Sequence, residues 1–198
     1  MSARRCRPAW VECNHMVQTE LDVLRDVSGR LGGAAIEFML TGSVAMNYYA
    51  EPRMTRDIDL VVALTPVDAE TIVRLFEADY YVDPEMVAKA IQHRSVFNLI
   101  HFESVIKVDC IVRKDEPYRQ EEFARRQEIL LADFHTWIAT REDLILSKLY
   151  WAKDSGSQVQ LKDAGNLLTH ECDFDYLRNR AGLLSVHNLL EDLLRRHE

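Results

Sequence analysis

Residues 41–62 read TGSVAMNYYAEPRMTRDIDLVV, and they decide the fold. The run from Ile58 to Val62 is aliphatic, as a buried strand requires, yet Asp57 and Asp59 are set into its start. Side chains alternate along a strand. Asp57, Asp59 and Val61 therefore share one face, and Ile58, Leu60 and Val62 share the other. The aliphatic face packs. The other begins with two carboxylates whose Cα atoms lie about 7 Å apart at strand rise. Two anions so close repel one another, and a divalent cation between them removes that cost. A solvated strand end, or ion pairs with Arg53 and Arg56, is the plainer alternative. Those arginines are also near enough in sequence to meet phosphates.

Upstream, Gly42-Ser43 falls at a predicted strand-to-helix junction. Backbone N–H groups at a helix start bind phosphate, and glycine permits close approach. Ser43 is expected in the N-cap position, adding a hydroxyl. Read alone, Gly-Ser is only a helix cap. A third acid lies in VIKVDCIV, where Lys107, Asp109 and Ile111 share one face and Ile106, Val108, Cys110 and Val112 the other. If this strand lies beside Asp57–Ala63, three carboxylates converge. Such a set suits two-metal phosphoryl transfer.

The pattern along the chain predicts helices over Val17–Leu31, stopped by Gly32-Gly33, then Val44–Tyr49, Thr65–Ala78 and Pro84–His93. Strands are predicted at Ile36–Leu40, Asp57–Ala63, Val96–Phe102, Val105–Val112, Ile129–Leu131 and Thr136–Ile138. After Thr140 only helices are predicted: Arg141–Ala152, Gln158–Thr169, Phe174–Ala181 and Ser185–Arg196. The expected class is α/β (α+β), a mixed sheet flanked by helices and followed by an all-helical C-terminal lobe. The expected division is a loose leader at 1–16, an α/β domain at 17–139 and a helical lobe at 140–198.

Bulk properties narrow the function. The 198 residues are 47 % hydrophobic and 28 % charged, with 24 basic and 32 acidic side chains and a net charge of −8. That balance argues against broad nucleic-acid binding through a basic surface, although a local basic cleft is compatible with it. Cys6, Cys13, Cys110 and Cys172 match no zinc spacing. With no secretion signal they fit a reducing cytoplasm. No apolar run approaches the roughly 20 residues of a membrane span.

Together, Gly42-Ser43, thirteen intervening residues, Asp57-Ile58-Asp59 and the later Asp109 resemble the nucleotidyltransferase superfamily with the DNA polymerase β-like fold. Residues 142–168, EDLILSKLYWAKDSGSQVQLKDAGNLL, are similar to the AbiEii and MenT-like toxins, which carry K-x4-K followed by D-x3-I/L. Here Lys148 and Lys153 have four residues between them, and Asp163 precedes Leu167 by four positions. The gap between Gly-Ser and D-x-D is longer than usual, and many of the toxins lack an acid equivalent to Asp109. The resemblance covers about residues 35–195. It implies transfer of a nucleotidyl group from an NTP to an acceptor hydroxyl, such as an RNA (tRNA) 3′ end, with release of pyrophosphate. It also implies an antitoxin partner. Asp57, Asp59 and Asp109 would hold two Mg²⁺ ions, with Mn²⁺ as a substitute. Gly42, Ser43, Arg56, Lys148 and Lys153 would hold the nucleotide, and Lys148 and Asp163 would take part in nucleotide handling and catalysis.

The residues also admit plainer roles. Lys148, mid-helix among Leu144, Ile145, Leu149 and Trp151, either snorkels to solvent or reaches phosphate. Asp163 either ion-pairs with a neighbouring lysine or acts at the site, and Lys153 is expected to be solvated on residue grounds alone. Trp137, Trp151, Tyr48 and Tyr49 are expected in the core or at a lobe interface rather than stacked on a base. Three other function classes remain: small-molecule (antibiotic) nucleotidylation, a pseudoenzyme or antitoxin working through protein contacts, and a D-x-D glycosyltransferase. The last lacks the Gly-Ser helix turn and is usually longer.

Overall fold

The computed structural model describes residues 19–55 and 57–197. The expected leader at 1–16 and Arg56 lie outside them. In chain order the elements are α1 (Glu20–Gly33), β1 (Phe38–Thr41), α2 (Gly42–Tyr49), β2 (Asp57–Val62), a 3₁₀ turn (Pro66–Asp68), α3 (Ala69–Phe76), β3 (Tyr80–Tyr81), α4 (Pro84–His93), β4 (Val96–His101), β5 (Lys107–Val112), α5 (Pro117–Ala124), β6 (Gln127–Leu131) and β7 (Phe134–Ile138). Four helices follow: α6 (Arg141–Ser155), α7 (Gln158–Leu167), α8 (Phe174–Leu183) and α9 (His187–His197).

The seven strands form one mixed sheet in the order β3-β4-β5-β2-β1-β7-β6. β2 lies at its middle, antiparallel to β1 and parallel to β5. On one face of the central pair Ile58, Leu60, Val62, Val108, Cys110 and Val112 are buried, packed toward α1 and α4. The period-2 pattern thus sends every second side chain of β2 and β5 into one core and leaves the acids on the opposite face. That face is flanked by α2 and by the C-terminal pair α6 and α7, which pack on each other and on α2.

Helix ends follow local chemistry. Thr19 and Asp22 form a reciprocal capping box on α1, and Asp83, Thr140, Ser157 and Asp173 cap α4, α6, α7 and α8 through their side chains. Gly156, at φ +64, ends α6 in the left-handed region that glycine enters without cost.

Three sequence expectations shift. α1 runs through both Gly32 and Gly33 and stops at Ala34, because the cap N–H of Ala34 bonds back to the Arg30 and Leu31 carbonyls. The predicted helix at 65–78 divides into a 3₁₀ turn and α3. β3 and α5 went unpredicted: one is only two residues long, and the other carries mainly polar residues. No helix among the described residues is long and apolar enough to cross a membrane.

Candidate active site

The register between β2 and β5 builds the site. Asp57 pairs with Lys107, Asp59 with Asp109, and Val61 with Ile111. Partners in a ladder project to the same face, so all three aspartates and Lys107 occupy one open surface. Asp59 also lies opposite Thr41 at the end of β1. There the chain turns into α2, with Thr41 as cap residue and Gly42 as the first helical position. Ser43 is therefore one turn position inside the helix, not its N-cap. The shift arises because Gly42 takes φ +66 and itself makes the turn.

Gly42 has a second reason to be glycine. A Cβ built there would lie 2.0 Å from Asp59 Oδ2 and 2.7 Å from its Cγ. The helix start and the carboxylate are in direct contact, and any side chain at residue 42 would have to displace Asp59. The side chain of Thr41 makes no capping bond to α2, so the first N–H groups of this helix remain available beside the acids.

Asp59 is the most perturbed acid of the group. Burial, followed by the charges of Asp109 and Asp57, pushes its carboxyl up to about 6; Lys148 and Lys107 act in the opposite sense. Asp109 is held by Asn98 on β4, whose amide donates to Oδ1, and by Lys107, whose ammonium is 3.0 Å from Oδ2. The same ammonium is 3.7 Å from Asp57 Oδ2. Among the described residues no three acid, histidine or cysteine side chains are gathered tightly enough to hold a metal ion. The Lys107 ammonium lies within 4 Å of both Asp57 and Asp109. The donor set itself suits Mg²⁺: hard carboxylate oxygens on one face, one acid raised by burial and then by its neighbours' charge, and a glycine that leaves room.

A hydrogen-bonded chain ties this surface to the C-terminal helices. Arg53 Nη2 donates to Ser43 Oγ at 2.7 Å and to Asp163 Oδ2 at 2.8 Å, and its Nε donates to Asp163 Oδ1 at 3.1 Å. Lys148 Nζ, on α6, donates to the same Asp163 Oδ2 at 2.8 Å and to Gln160 Oε1 at 3.3 Å. Lys148 and Asp163 are both buried. Burial raises the carboxyl of Asp163, but bonds from Arg53 and Lys148 outweigh it and hold it below the ordinary range. Asp163 does ion-pair with a lysine of the neighbouring helix, as the plainer reading of its sequence expects. Lys148 does not snorkel to solvent. Arg53 pairs with Asp163 and Ser43 rather than neutralising Asp57 or Asp59, and only the fold brings residues 110 positions apart together.

A cleft of about 330 Å³ runs along this face, lined at one end by Gly42, Ser43, Asp59 and Lys148. Its far wall comes from α5 and α6, with Arg119, Glu122, Ser147 and Tyr150. Lys153 is not part of it. That side chain is exposed, and its ammonium is 3.5 Å from the Leu184 carbonyl. Trp151, expected in the core or at an interface, is 65 % exposed at the cleft.

No protein-family model and no curated protein matches the chain by sequence. Solved structures do match by shape. An antigenic nucleotidyltransferase-like protein from Paracoccidioides brasiliensis has TM-score 0.56 at 14 % identity, over 89 % of this chain and 92 % of that one. The antibiotic-resistance factor ANT(2″)-Ia has TM-score 0.60 at 15 % identity, over 92 % of this chain and 100 % of that one. This chain has the nucleotidyltransferase fold. The lincosamide antibiotic adenylyltransferase LnuA, solved with lincomycin bound, is similar over 75 % of this chain and 96 % of its own, with TM-score 0.51 and 15 % identity. In this fold the strand pair β2 and β5 brings Asp57, Asp59 and Asp109 to one face, and α2 starts against Asp59.

Proposed function

We propose that the protein is a Mg²⁺-dependent nucleotidyltransferase that moves a nucleotidyl group from an NTP to an acceptor hydroxyl and releases pyrophosphate. The observation that carries this reading is the Asp59–Asp109 pair in register, backed by a glycine whose Cβ would displace Asp59.

Each residue then has a task. The N–H groups at the start of α2 face the terminal phosphates of the NTP. Ser43 Oγ already accepts a bond from Arg53, so its own proton is left to donate to a phosphate oxygen. Lys148 uses two N–H groups on Asp163 and Gln160 and keeps a third for the cleft. Asp163 lies beneath Lys148 and Arg53 and is a positioning residue: it fixes both cations without meeting substrate. Asp57, Asp59 and Asp109 would hold Mg²⁺, which supplies charge stabilisation at the transferring phosphoryl group and lowers the pKa of the attacking hydroxyl. Lys107, now paired with Asp57 and Asp109, would have to give up those contacts for the carboxylates to hold the cation. Asp109, steadied by Asn98, takes the acceptor's proton. Lys153 has no task here, and Arg56 is adjacent in sequence to Asp57.

The acceptor divides two readings. Lys148 and Asp163 meet in a buried pair, which supports the AbiEii/MenT-like resemblance and hence an RNA 3′ end as acceptor, with toxin activity restrained by an antitoxin. The likeness to ANT(2″)-Ia and LnuA, whose structures hold adenylyl-2″-tobramycin and lincomycin, supports a small-molecule hydroxyl. Incubation with each α-labelled NTP, Mg²⁺ and either pooled RNA or a panel of hydroxylated antibiotics tests both. Label moving to neither class with the parent, or moving as fully with Asp57→Ala/Asp59→Ala as with the parent, contradicts the enzyme reading.

A further inference from the structure

The far wall of the cleft carries a charged pair that the transfer chemistry does not use. Glu122 on α5 is 4 % exposed. Arg119 Nη1 donates to its Oε2 at 2.7 Å, and Ser147 Oγ donates to its Oε1 at 2.7 Å. Burial pushes the Glu122 carboxyl up, while Arg119 and Ser147 pull it back. The Arg119 guanidinium is wedged between two rings, 5.4 Å from the centroid of Tyr118 and 5.2 Å from that of Tyr150. Among the described residues all its hydrogen bonds leave from Nη1, to Glu122 and Ser147. Its other N–H groups are therefore uncommitted.

A buried ion pair is a poor device for stability, since apolar residues of the same volume do as well or better. One that opens onto a cleft and is fixed by rings and a serine is a device for recognition. The floor between it and the acids is apolar. Val61 and Ile111 are ladder partners one step, about 7 Å, beyond Asp59 and Asp109 on the same face. Leu144 on α6 lines the same cleft. Asp59, the apolar Val61 and Ile111, and the Arg119–Glu122 pair all line this one cleft, with room for triphosphate, a flat ring and a donor–acceptor contact.

We propose that this wall is the nucleobase subsite, with Arg119 and Glu122 reading the Watson–Crick edge of the incoming NTP. The inference rests on the nucleotidyltransferase reading above and adds the substrate selectivity of that site. A carboxylate only accepts and a guanidinium only donates. Amino bases (adenine, cytosine) place a donor beside an acceptor, and keto bases (guanine, uracil) place them in the reverse order. A fixed Arg119–Glu122 pair therefore accepts one class and rejects the other. Ser147 holds the carboxylate in place and is a positioning residue. Trp151 at the mouth borders the same space.

The test is calorimetric titration of the full chain, in Mg²⁺, with ATP, CTP, GTP, UTP and inorganic tripolyphosphate. The parent binds ATP and CTP, or GTP and UTP, at least about tenfold more tightly than the other two, the equivalent of one good base-edge pairing. Glu122→Gln, which both donates and accepts, loses that preference, as does Arg119→Met, while tripolyphosphate binding stays within about twofold. Equal binding of all four NTPs by the parent overturns the proposal, as does a preference that survives in both variants. Parallel loss of tripolyphosphate binding in both variants reduces the pair to a structural role and also overturns it. If the parent binds neither tripolyphosphate nor any NTP, the nucleotidyltransferase reading itself fails, and the proposal with it.

Discussion

The Oδ2 of Asp59 occupies the space that a side chain on residue 42 would need, 2.0 Å from an added Cβ. A helix start and a strand carboxylate are thus locked to each other by the absence of one methyl group. Gly42→Ala forces both to move. The left-handed backbone costs an L-residue about 1–2 kcal/mol, and displacing Asp59 adds to it. We expect a lower melting temperature and at least about tenfold weaker Mg²⁺–NTP binding, equivalent to about 1.4 kcal/mol. Unchanged binding in a calorimetric titration would show that the contact is incidental.

Asp59 makes the metal-free protein sensitive to pH. Its carboxyl holds a proton up to about 6 in the fold and only to 3.8 ordinarily. The folded state therefore binds the proton more tightly, and stability falls as pH rises from 3.8 through about 6. The full effect is at most about 3 kcal/mol, and solvent at the cleft screens it toward about 1 kcal/mol. Asp59→Asn should melt higher than the parent at pH 7.5 and no higher at pH 4, both in a chelator. A constant difference at the two values would rule out this origin.

Lys148 and Asp163 are mutually dependent. Asp163→Ala leaves a buried ammonium with Gln160 alone and should cost about 3–5 kcal/mol. Lys148→Met together with Asp163→Leu should recover more than half of that in denaturant unfolding. Asp163 is held below its ordinary 3.8, so the stability it supplies is present above that pH and is lost as pH falls through its folded value. A double variant as unstable as Asp163→Ala would contradict the pairing.

Lys107 is placed to compete with a cation at the aspartates. Its ammonium is within 4 Å of both Asp57 and Asp109, and Asp109 in turn holds its proton on, raising the lysine above its usual range. Lys107→Met should bind Mg²⁺ more tightly in the absence of nucleotide, read as a lower midpoint in a Mg²⁺ melt series. A weaker response in the variant would mean that Lys107 assists the site rather than guarding it.

Much of this was legible because strand periodicity is short and strict. Asp57, Asp59 and Asp109 interrupt aliphatic runs at alternate positions, so their common face follows once the strands are neighbours. The helical C-terminal part followed from spacing of apolar residues after Thr140. The Arg53–Asp163 pair did not follow: the two meet across 110 positions, and no local pattern announces it. Ser43 lies two positions past the cap because Gly42 makes the turn itself. Glu122 and Arg119 lie on an eight-residue helix with little apolar periodicity, so neither the helix nor its buried pair shows in the sequence.

The central claim is that the aspartate face binds a divalent cation together with an NTP. The most direct measurement is a thermal melt of the parent and of Asp57→Asn/Asp59→Asn, with and without Mg²⁺ and a non-hydrolysable NTP analogue. A ligand about 100-fold above its dissociation constant stabilises the parent by about 2.7 kcal/mol, or roughly 5–10 °C for a chain of this size. The variant should lose most of that rise. A parent that melts at the same temperature with and without the ligands, or a variant that responds as fully as the parent, would contradict the account.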